Sequence, residues 1–398
     1  MYIFEIAGIV FQEVFMSFPG REKKSAETLG AVCDWEVSAG EALLVCENGV
    51  LGLQSPFPHS VRIRSGRGGT FSEDRSFAVV CPQDEEQVPR LKDTEEKVEI
   101  SLAGLRIIAA RDHAALSVYD HDDFLLFRDQ PGEGVEWKGP AVSARHTIEE
   151  GARYYGFGEK TGPLNKLGKK LTMWNTDMPY HKNYDPVYAS IPFVLVLREG
   201  RAHGLFFDNP CRCRFDVGKA AAGTFNYTAE GGELDLYVME GPSVKEVVER
   251  FTALTGRHPM PARWSLGFQQ SRWSYMNDSE VREIADELRS RDIPCDAIHM
   301  DIHYMDRYRV FTFDKERFPD PPALSQELSE KGFKLVSLID PGIAKADDYD
   351  LYQEGRSNGY FCKDKKGREF NSRVWPGKVA FPDFSKPEVR EWWADLQT

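Results

Sequence analysis

The feature of this sequence that most constrains its fold is a change of hydrophobic period near residue 243. Before that point, short apolar or alternating runs such as KVEISLAGLRIIAA (97–110) and ELDLYVM (233–239) are separated by Gly, Asp, Asn and Pro turns. This pattern predicts an antiparallel β-sandwich with no helices between its strands. After that point strands alternate with helices, which favours parallel pairing. The 398 residues are enough for two or three domains, each with its own core.

The segment GPSVKEVVERFTALTGRHPMP (241–261) predicts a helix between the two kinds of texture. Its apolar residues follow the i, i+3, i+4, i+7 spacing of an amphipathic helix: Val244, Val247, Val248 and Phe251. Ser243 and Glu246 have the spacing of a capping box, and Gly256 is a natural terminator. The Pro-rich HPMPARW (258–264) then indicates a domain boundary.

Three regions follow from this division: a β-sandwich over 1–241, a helical linker over 242–260 and an α/β domain over 261–398. The α/β domain is predicted to contain three strand-helix units, formed by WSLGFQQS (264–271), NDSEVREIADELRSRDIP (277–294), DAIHMDI (296–302), DPPALSQELSEKG (320–332), KLVSLID (334–340) and SKPEVREWWADLQT (385–398). Such units open either a (β/α)8 barrel or a doubly wound sheet. Three units cannot close a barrel, and the third strand would be left at an open edge. We therefore expect this chain to be the N-terminal portion of a longer protein.

The net charge of −13 argues against a nucleic-acid surface and against an anionic membrane face. No run of eighteen uncharged apolar residues occurs, so we predict no membrane span. The N-terminal MYIFEIAGIVFQEVFM (1–16) contains Glu5 and Glu13 and no basic region, which favours a strand pair over a signal peptide. The seven scattered cysteines, including the pair Cys211 and Cys213, indicate reduced thiols in a cytoplasmic protein.

Polar and aromatic residues gather where the predicted parallel strands end. These strand ends are Arg272–Tyr275, Asp301–Tyr304 and Asp340–Ile343, and a long insertion after them contains Trp375, Phe381 and Asp383. Ligands of parallel α/β folds lie at the carboxyl ends of the strands. Carboxylates accept hydroxyl hydrogen bonds and flat rings cover apolar faces, so this combination suits a hydroxyl-rich ligand. The glycines of GFGEKTG (156–162) precede no helix and are predicted to be turn residues rather than a phosphate loop.

Each of these residues also has a structural interpretation. Asp301 at a strand end could cap a helix or form a turn, and Asp177 could cap backbone N–H groups in a loop. Trp273 and Trp375 could be core residues. From the residues alone, both interpretations stay open.

Several long segments resemble glycoside hydrolase family 31, the α-glucosidases and α-xylosidases. In chain order they are YYGFGEKTG (154–162), WNTDMPYHKNYDPVYASIPF (174–193), GLFFDNP (204–210), PARWSLGFQQSRWSYMN (261–277), DIPCDAIHMDIHYMDRYRVFTFD (292–314) and VWPGKVAFPDFSKPEVREWW (374–393). The resemblance covers about residues 150–398, and the first 150 residues match only in texture. It implies a galactose-mutarotase-like β-sandwich followed by the first part of a (β/α)8 TIM barrel.

The resemblance assigns sugar-binding roles to six residues: Asp177, Trp273, Asp301, Ile302, Ile343 and Trp375. Asp301 would hold two hydroxyls of the terminal sugar in subsite −1, with Ile302 as its apolar neighbour. Asp177 would reach over the barrel mouth on a loop from the sandwich. Trp273 stands where the family often has Tyr, Ile343 would form a pocket wall, and Trp375 would line the sugar site. His303 departs from the Asp common in the family, which leaves the local hydrogen-bond network open.

The implied activity is retaining hydrolysis that releases terminal α-linked glucose, carried out by two carboxyl groups about 5–5.5 Å apart. The resemblance places both groups beyond Thr398, so we expect no catalytic residue in this chain and no activity from it alone. Asp395 lies in a predicted helix and is no substitute. An α-xylosidase is the alternative within the family, although Ile302 favours glucosides.

Two hypotheses of other classes remain. His299, Asp301 and His303 alternate along one strand and could ligate a metal in a barrel hydrolase, although no His follows His303. A non-catalytic sugar-binding protein is the other hypothesis. The favoured prediction has no metal and no cofactor, and its partner is an α-glucoside or oligosaccharide; a homo-oligomer is left open.

Overall fold

A computed structural model describes residues 26–74, 76–81, 87–176 and 184–397. The strand pair predicted within residues 1–16 lies outside the described residues. The chain divides into two compact units, Met1–His258 and Pro259–Thr398. The finer division into a sandwich, a linker and an α/β domain stays a prediction. None of the helices in the described residues combines the length and the apolar character that crossing a bilayer would require.

The first unit is built almost entirely from strands. Within its described residues they are β1 Glu27–Thr28, β2 Val32–Ser38, β3 Glu41–Cys46, β4 Gly49–Gln54, β5 Ser60–Arg67, β6 Arg90–Asp93, β7 Lys97–Leu102, β8 Leu105–Ala110, β9 Leu116–Tyr119, β10 Leu125–Arg128, β11 Val135–Lys138, β12 Ala141–Thr147, β13 Arg153–Gly158, β14 Lys169–Met173, β15 Ser190–Arg198, β16 Arg201–Phe207, β17 Cys213–Val217, β18 Thr224–Ala229 and β19 Leu234–Glu240. The predicted texture of short strands joined by turns is confirmed. No helix interrupts these strands in the part of the unit that the structure describes.

The strands form three antiparallel sheets. Their orders are β13-β15-β16-β19-β5-β4-β3-β2, β1-β11-β12-β18-β17-β14 and β10-β9-β8-β7-β6. One continuous core takes residues from all three sheets, for example Ile63, Ile107 and Phe225. Because alternate residues of a strand face opposite sides of a sheet, the alternating sequence runs bury one face of each sheet in this core. The predicted β-sandwich is thus confirmed.

Helix α1 spans Val244–Thr255 and closes the first unit. The predicted capping box is confirmed, because Ser243 accepts the Glu246 N–H and the Glu246 carboxylate accepts the Ser243 N–H. Gly256 follows the helix with φ of 94°, a conformation that glycine adopts without a steric penalty.

The apolar face of α1 is narrower than its sequence suggests. Val247 is fully buried against Leu195 and Ala202, and the Phe251 ring stacks on Phe193 with centroids 4.0 Å apart. The buried line therefore continues from Val247 to Leu254. The predicted stripe is wrong at its other edge, where Val244 and Val248 are exposed. The helix rests on its sheet by one line of residues, and the neighbouring valines lie beyond that contact.

The second unit is an α/β structure. Its elements in the described residues are β20 Gln269–Gln270, α2 Asp278–Ser290, β21 Ala297–Met300, α3 Pro321–Glu330, β22 Lys334–Ser337, β23 Ile343–Ala344, α4 Asp350–Ser357, β24 Asn371–Val374, β25 Gly377–Ala380 and α5 Pro387–Asp395. Strands β20, β21 and β22 form a parallel sheet in that order. The three predicted helices are confirmed as α2, α3 and α5. The side-chain oxygen of Asn277 caps α2 by accepting the Glu280 N–H at 2.9 Å.

The first predicted strand of this unit is largely wrong. Residues Arg263–Leu266 form a 3-10 turn, and only Gln269–Gln270 pair with the sheet. The Ser265 hydroxyl and the Ser265 N–H both donate to the Ala262 carbonyl, at 2.7 and 2.9 Å. This local hydrogen bonding by serine competes with strand pairing and closes the turn.

Helix α4 and the strands β23, β24 and β25 were not predicted from the sequence; β24 and β25 lie in the segment that was predicted to be an insertion. Helix α4 has only eight residues, too few for a clear apolar period. Gly355 lets this helix approach its neighbours closely, since a Cβ there would lie 2.6 Å from the Phe361 ring. Strands β23, β25 and β24 form a small antiparallel sheet after the parallel one. Trp375, one of the predicted sugar-binding residues, lies in the turn between β24 and β25.

Candidate functional site

Asp301 directly follows β21, the middle strand of the parallel sheet, and is half-buried. Its Oδ1 accepts the Ile302 N–H at 2.8 Å, so the side chain caps the 3-10 turn Ile302–Tyr304. Asp301 therefore acts as a cap, which is the structural role that the sequence left open for it. A carboxylate has about four lone-pair sites, so one capping bond leaves it able to accept hydroxyl groups as well.

Trp273 and Trp375 are exposed side chains. Their exposed fractions are 71% and 84%, and the two indole rings meet edge to face with centroids 5.7 Å apart. Trp273 follows β20, whereas Trp375 comes from the hairpin of β24 and β25. The alternative that these rings belong to the core is wrong. Exposed rings that contact each other present flat apolar surfaces to a ligand.

The His303 ring extends this aromatic group. Its centroid lies 6.5 Å from that of Trp273 and 5.4 Å from that of Tyr308. The His303 Nδ1 atom is buried and has no hydrogen-bond partner in the described part of the chain. A buried polar atom in this state has unused hydrogen-bonding capacity beside the rings.

A pocket of about 240 Å³ opens beside these residues. Ile302 lines it after β21, Asp340 lines it after β22, and Val374 and Pro376, the residues on either side of Trp375 in the hairpin, line it as well. Arg307 and Tyr308 form part of the rim. The carboxyl ends of two neighbouring parallel strands therefore meet at one cavity, as the fold rule requires.

Basic residues of this pocket were not identified from the sequence. Arg307 and Arg309 both pair with Asp348, Arg307 at 3.1 Å, and these two guanidinium groups lower the pKa of the Asp348 carboxyl. Burial acts to lower the pKa of Lys345, but its hydrogen bonds, led by the one to Glu369, raise the pKa overall. The run DRYR at 306–309 was the available signal, but its partner Asp348 is about forty residues away and has no fixed sequence relation to it.

Of the predicted site residues that the structure describes, Ile302 lines this pocket, whereas Asp301, Trp273, Trp375 and Ile343 do not. Ile343 is fully buried in β23, opposite Ala380, and its neighbours Gly342 and Ala344 line the pocket in front of it. Asp177 lies outside the described residues, so its predicted role stays a prediction.

The alternative metal site on β21 loses its geometric basis. His299 Nε2 lies 2.7 Å from the Gln269 side-chain oxygen, and His303 belongs to the aromatic group described above. In the described stretches of the chain, His299, Asp301 and His303 do not form a cluster of ligand atoms. The three residues alternate in the sequence, as ligands on one face of a strand would. The strand ends before Asp301, however, and His303 lies in the 3-10 turn that follows, so it does not share that face.

Two sequence models of one family match the chain. The glycosyl hydrolases family 31 TIM-barrel domain matches residues 258–398, and the glycosyl hydrolase 31 N-terminal galactose mutarotase-like domain matches residues 50–216. This chain belongs to glycosyl hydrolase family 31. The family and fold class predicted from the sequence are confirmed, with a mutarotase-like sandwich preceding the start of the barrel domain.

Curated family 31 relatives include α-glucosidases. The chain is 41% identical over 353 residues to alpha-glucosidase 2 of Bacillus thermoamyloliquefaciens, covering 88% of this chain and 44% of the relative. It is 35% identical over 266 residues to an alpha-glucosidase of Saccharolobus solfataricus, covering 67% of this chain and 38% of the relative. The chain thus spans less than half the length of these relatives.

A solved family 31 structure has the same fold. The dextranase of Flavobacterium johnsoniae in complex with isomaltotriose superposes with a TM-score of 0.87 and 31% identity. The match covers 93% of this chain and 46% of the dextranase. Both described units therefore correspond to a family 31 enzyme.

Proposed function

We propose that this chain contributes the sugar-binding part of a retaining α-glucosidase, an enzyme that releases terminal α-linked glucose from oligosaccharides. The observation that carries the proposal is the pair of exposed indole rings beside the pocket at the ends of β21 and β22. A carboxylate, Asp301, lies at the same strand end. This combination binds a pyranose through its hydroxyls and its apolar face. The α-glucosidase relatives support the substrate class.

The proposal assigns a role to each residue. Asp301 accepts hydroxyl hydrogen bonds, Ile302 covers an apolar ring face, and Trp273 and Trp375 stack on the sugar. Ile343 supports the pocket from behind. Asp177 is proposed to reach the sugar from the sandwich. The nucleophile and the acid/base, about 5–5.5 Å apart in a retaining enzyme, are expected beyond Thr398.

A second substrate has its own support. The dextranase that superposes on this chain is described in complex with isomaltotriose. Isomalto-oligosaccharides are therefore the first alternative to other α-glucosides. An α-xyloside is the next alternative, and Ile302 argues against it.

The decisive variant is Asp301→Ala in the complete protein that carries this chain. A hydrogen bond to a charged group is worth about 1.5–3 kcal/mol, so kcat/KM for nitrophenyl α-glucoside should fall at least about tenfold. Asp301→Asn keeps an oxygen for the Ile302 N–H but removes the charge, and it should lose nearly as much activity.

A matched control separates sugar binding from capping. Asp320 also caps a helix, accepting the Ala323 N–H at 3.0 Å, and it does not line the pocket. Asp320→Ala should leave kcat/KM close to that of the parent. Equal activities of the parent and Asp301→Ala would remove Asp301 from the site. Strong turnover of α-xyloside without turnover of α-glucoside would overturn the substrate assignment.

We also propose that the protein works in the cytoplasm with reduced thiols. No disulfide joins the cysteines of the described residues. Burial raises the pKa of the Cys46 and Cys213 thiols to about 12, which keeps both protonated and unreactive near neutral pH. Cell fractionation with an antibody to this chain tests the location.

A further inference from the structure

Three potential metal ligands meet in the first unit. His59 lies just before β5, His121 lies in the turn between β9 and β10, and Glu240 is the last residue of β19. Their ligand atoms all lie within 4.8 Å of one another. His59 and Glu240 are 181 residues apart in the chain, so only the folded sandwich brings them together. Nothing in the proposed sugar site involves these residues.

The carboxylate of this cluster is buried and the imidazoles are not. The Glu240 side chain is 2% exposed, whereas those of His59 and His121 are 41% and 47% exposed. One Glu240 oxygen lies 2.8 Å from the His59 Nδ1, and the other contacts the His121 Nδ1. A buried carboxylate requires a compensating positive charge, and neutral imidazoles provide hydrogen bonds without one.

The nearby guanidinium groups are engaged elsewhere. Arg250 donates to the backbone carbonyls of Glu240 and Gly241, the latter at 2.6 Å. Arg201 pairs with Asp120 at 3.0 Å and with Asp122. Neither guanidinium hydrogen-bonds the Glu240 carboxylate in the described structure, so its side-chain hydrogen-bond partners there are the two imidazoles.

The histidine turn is held in place by its neighbours. The Asp120 carboxylate accepts the N–H groups of Asp122 and Phe124 at 2.9 and 2.8 Å. The His121 Nε2 lies 3.5 Å from the Asp122 Oδ1. In metal sites a carboxylate near the ring nitrogen that does not bind the ion helps to orient the imidazole. This arrangement presents the His121 Nδ1 towards Glu240.

His59 is held equally firmly. Its N–H donates to the Ala103 carbonyl at 2.7 Å, and its own carbonyl accepts the Glu240 N–H at 3.0 Å. Its φ of 63° is in the left-handed region, which few non-glycine residues occupy, histidine more often than most. The two ligand-bearing backbones are thus fixed directly to each other before any ligand binds.

We propose that His59, His121 and Glu240 bind one divalent transition-metal ion, zinc in the first place. Two imidazole nitrogens and one carboxylate oxygen form a donor set that zinc accepts, with a water as the fourth ligand on the exposed side. Calcium and magnesium prefer oxygen ligands throughout and fit this set poorly. The ion neutralises the buried Glu240 and ties three distant segments together where β19 leads into α1, which stabilises the first unit.

Zinc titration of this chain tests the site. After removal of bound metal with a chelator and dialysis, calorimetric titration should show one equivalent of zinc bound, and the Tm should rise with zinc concentration. His59→Gln and His121→Gln should each weaken binding by more than about a hundredfold, since losing even an outer-shell partner costs about 10–100-fold. Cobalt in place of zinc should give the visible absorption of a four-coordinate ion, and the absorption should be lost in both variants.

The control is His113→Gln. His113 lies 3.3 Å from the Asp112 carboxylate and belongs to no cluster of three ligands in the described residues. This variant should bind zinc as the parent does. His121→Gln changes an exposed side chain, and circular dichroism should confirm that it folds. Folded parent protein that binds no zinc, or that binds it no better than His121→Gln, would overturn the proposal and identify a purely hydrogen-bonded triad.

Discussion

The two units bury their sheets in different ways. In the first unit, three antiparallel sheets share one core, and the alternating strands keep one face of each sheet away from water. In the parallel sheet of the second unit, the middle strand β21 is well buried, through Ala297, Ile298 and Met300. The outer strand β22 is partly exposed, and Leu338 just after it is exposed as well.

This difference shows where each unit obtains its stability. The sandwich obtains it from sheet faces that pack within one core. The second unit has a core of its own, in which Val281 of α2, Leu324 of α3 and Val389 of α5 pack with residues of strands and loops such as Ile298 and Phe318. Parallel strands are usually covered on both faces; β22 is the edge strand of its sheet in a chain that spans less than half the length of its family 31 relatives.

The largest expected effect is in the sandwich core. Phe215 is almost fully buried, and its ring lies 5.1 Å from that of Phe207 and 5.2 Å from that of Phe157, centroid to centroid. Phe215→Ala should lower the free energy of unfolding of the first unit by about 3–5 kcal/mol, measured by urea denaturation. Phe77→Ala, at a highly exposed ring, should change it by less than about 0.5 kcal/mol. Similar losses for both variants would contradict the shared core.

A pair of substitutions in the parallel sheet sharpens the comparison. Ile298 is fully buried in the middle strand β21, so Ile298→Ala should cost about 2–5 kcal/mol. Leu338 is exposed beyond the outer strand, so Leu338→Ala should change the free energy of unfolding by less than about 0.5 kcal/mol. Denaturation followed by the fluorescence of tryptophans in the second unit measures both. A large loss at Leu338 would show that the outer strand is covered in solution.

The smallest expected effect is a difference between the two units in how their stability depends on pH. Hydrogen bonding to Arg282, aided by Lys331, lowers the pKa of Glu327 in the second unit. Its ion pairs therefore stabilise the fold above the unfolded-state pKa of about 4.3 and lose that effect as the pH falls through the lower folded-state pKa. Burial raises the pKa of Asp208 in the first unit, so its contribution is greatest below the unfolded-state pKa and is lost as the pH rises through the folded-state pKa.

Glu327→Gln should accordingly reduce the loss of stability on acidification below about pH 4. Asp208→Asn should reduce the loss of stability on raising the pH from about 4 towards neutrality. Urea denaturation at a series of pH values measures both slopes. If both substitutions removed a pH dependence of stability with the same sign, the assigned pKa directions would be wrong.

Much of the second unit was predictable because its signals are local. Asn277 three residues before Glu280, and Val281, Ala285 and Leu288 at helical spacing, specify a helix from its own residues. Helix α4 was missed because eight residues carry little periodicity, and Gly355 packs closely against the rings of Phe361 and of Trp392, which is remote in sequence. The strand predicted at residues 264–271 failed because Ser265 satisfies its hydrogen bonds within a turn.

The candidate site divides in the same way. Asp301 could be identified from its place after a buried strand, and the resemblance of the surrounding segments indicated the family. The exposure and mutual contact of Trp273 and Trp375 could not be predicted from the sequence, because an indole side chain is also common in a protein core. The basic residues at the pocket rim were missed because their partner Asp348 is remote in sequence.

The amino-acid sequence alone determined the β-sandwich, the strand-helix units, the helix caps and the family, because hydrophobic period and capping act over a few residues. Tertiary structure alone decided that Val244 and Val248 are exposed, that two tryptophans meet beside a pocket, and that His59, His121 and Glu240 converge. These outcomes depend on how separate segments pack, and no spacing along a chain encodes which distant side chains become neighbours.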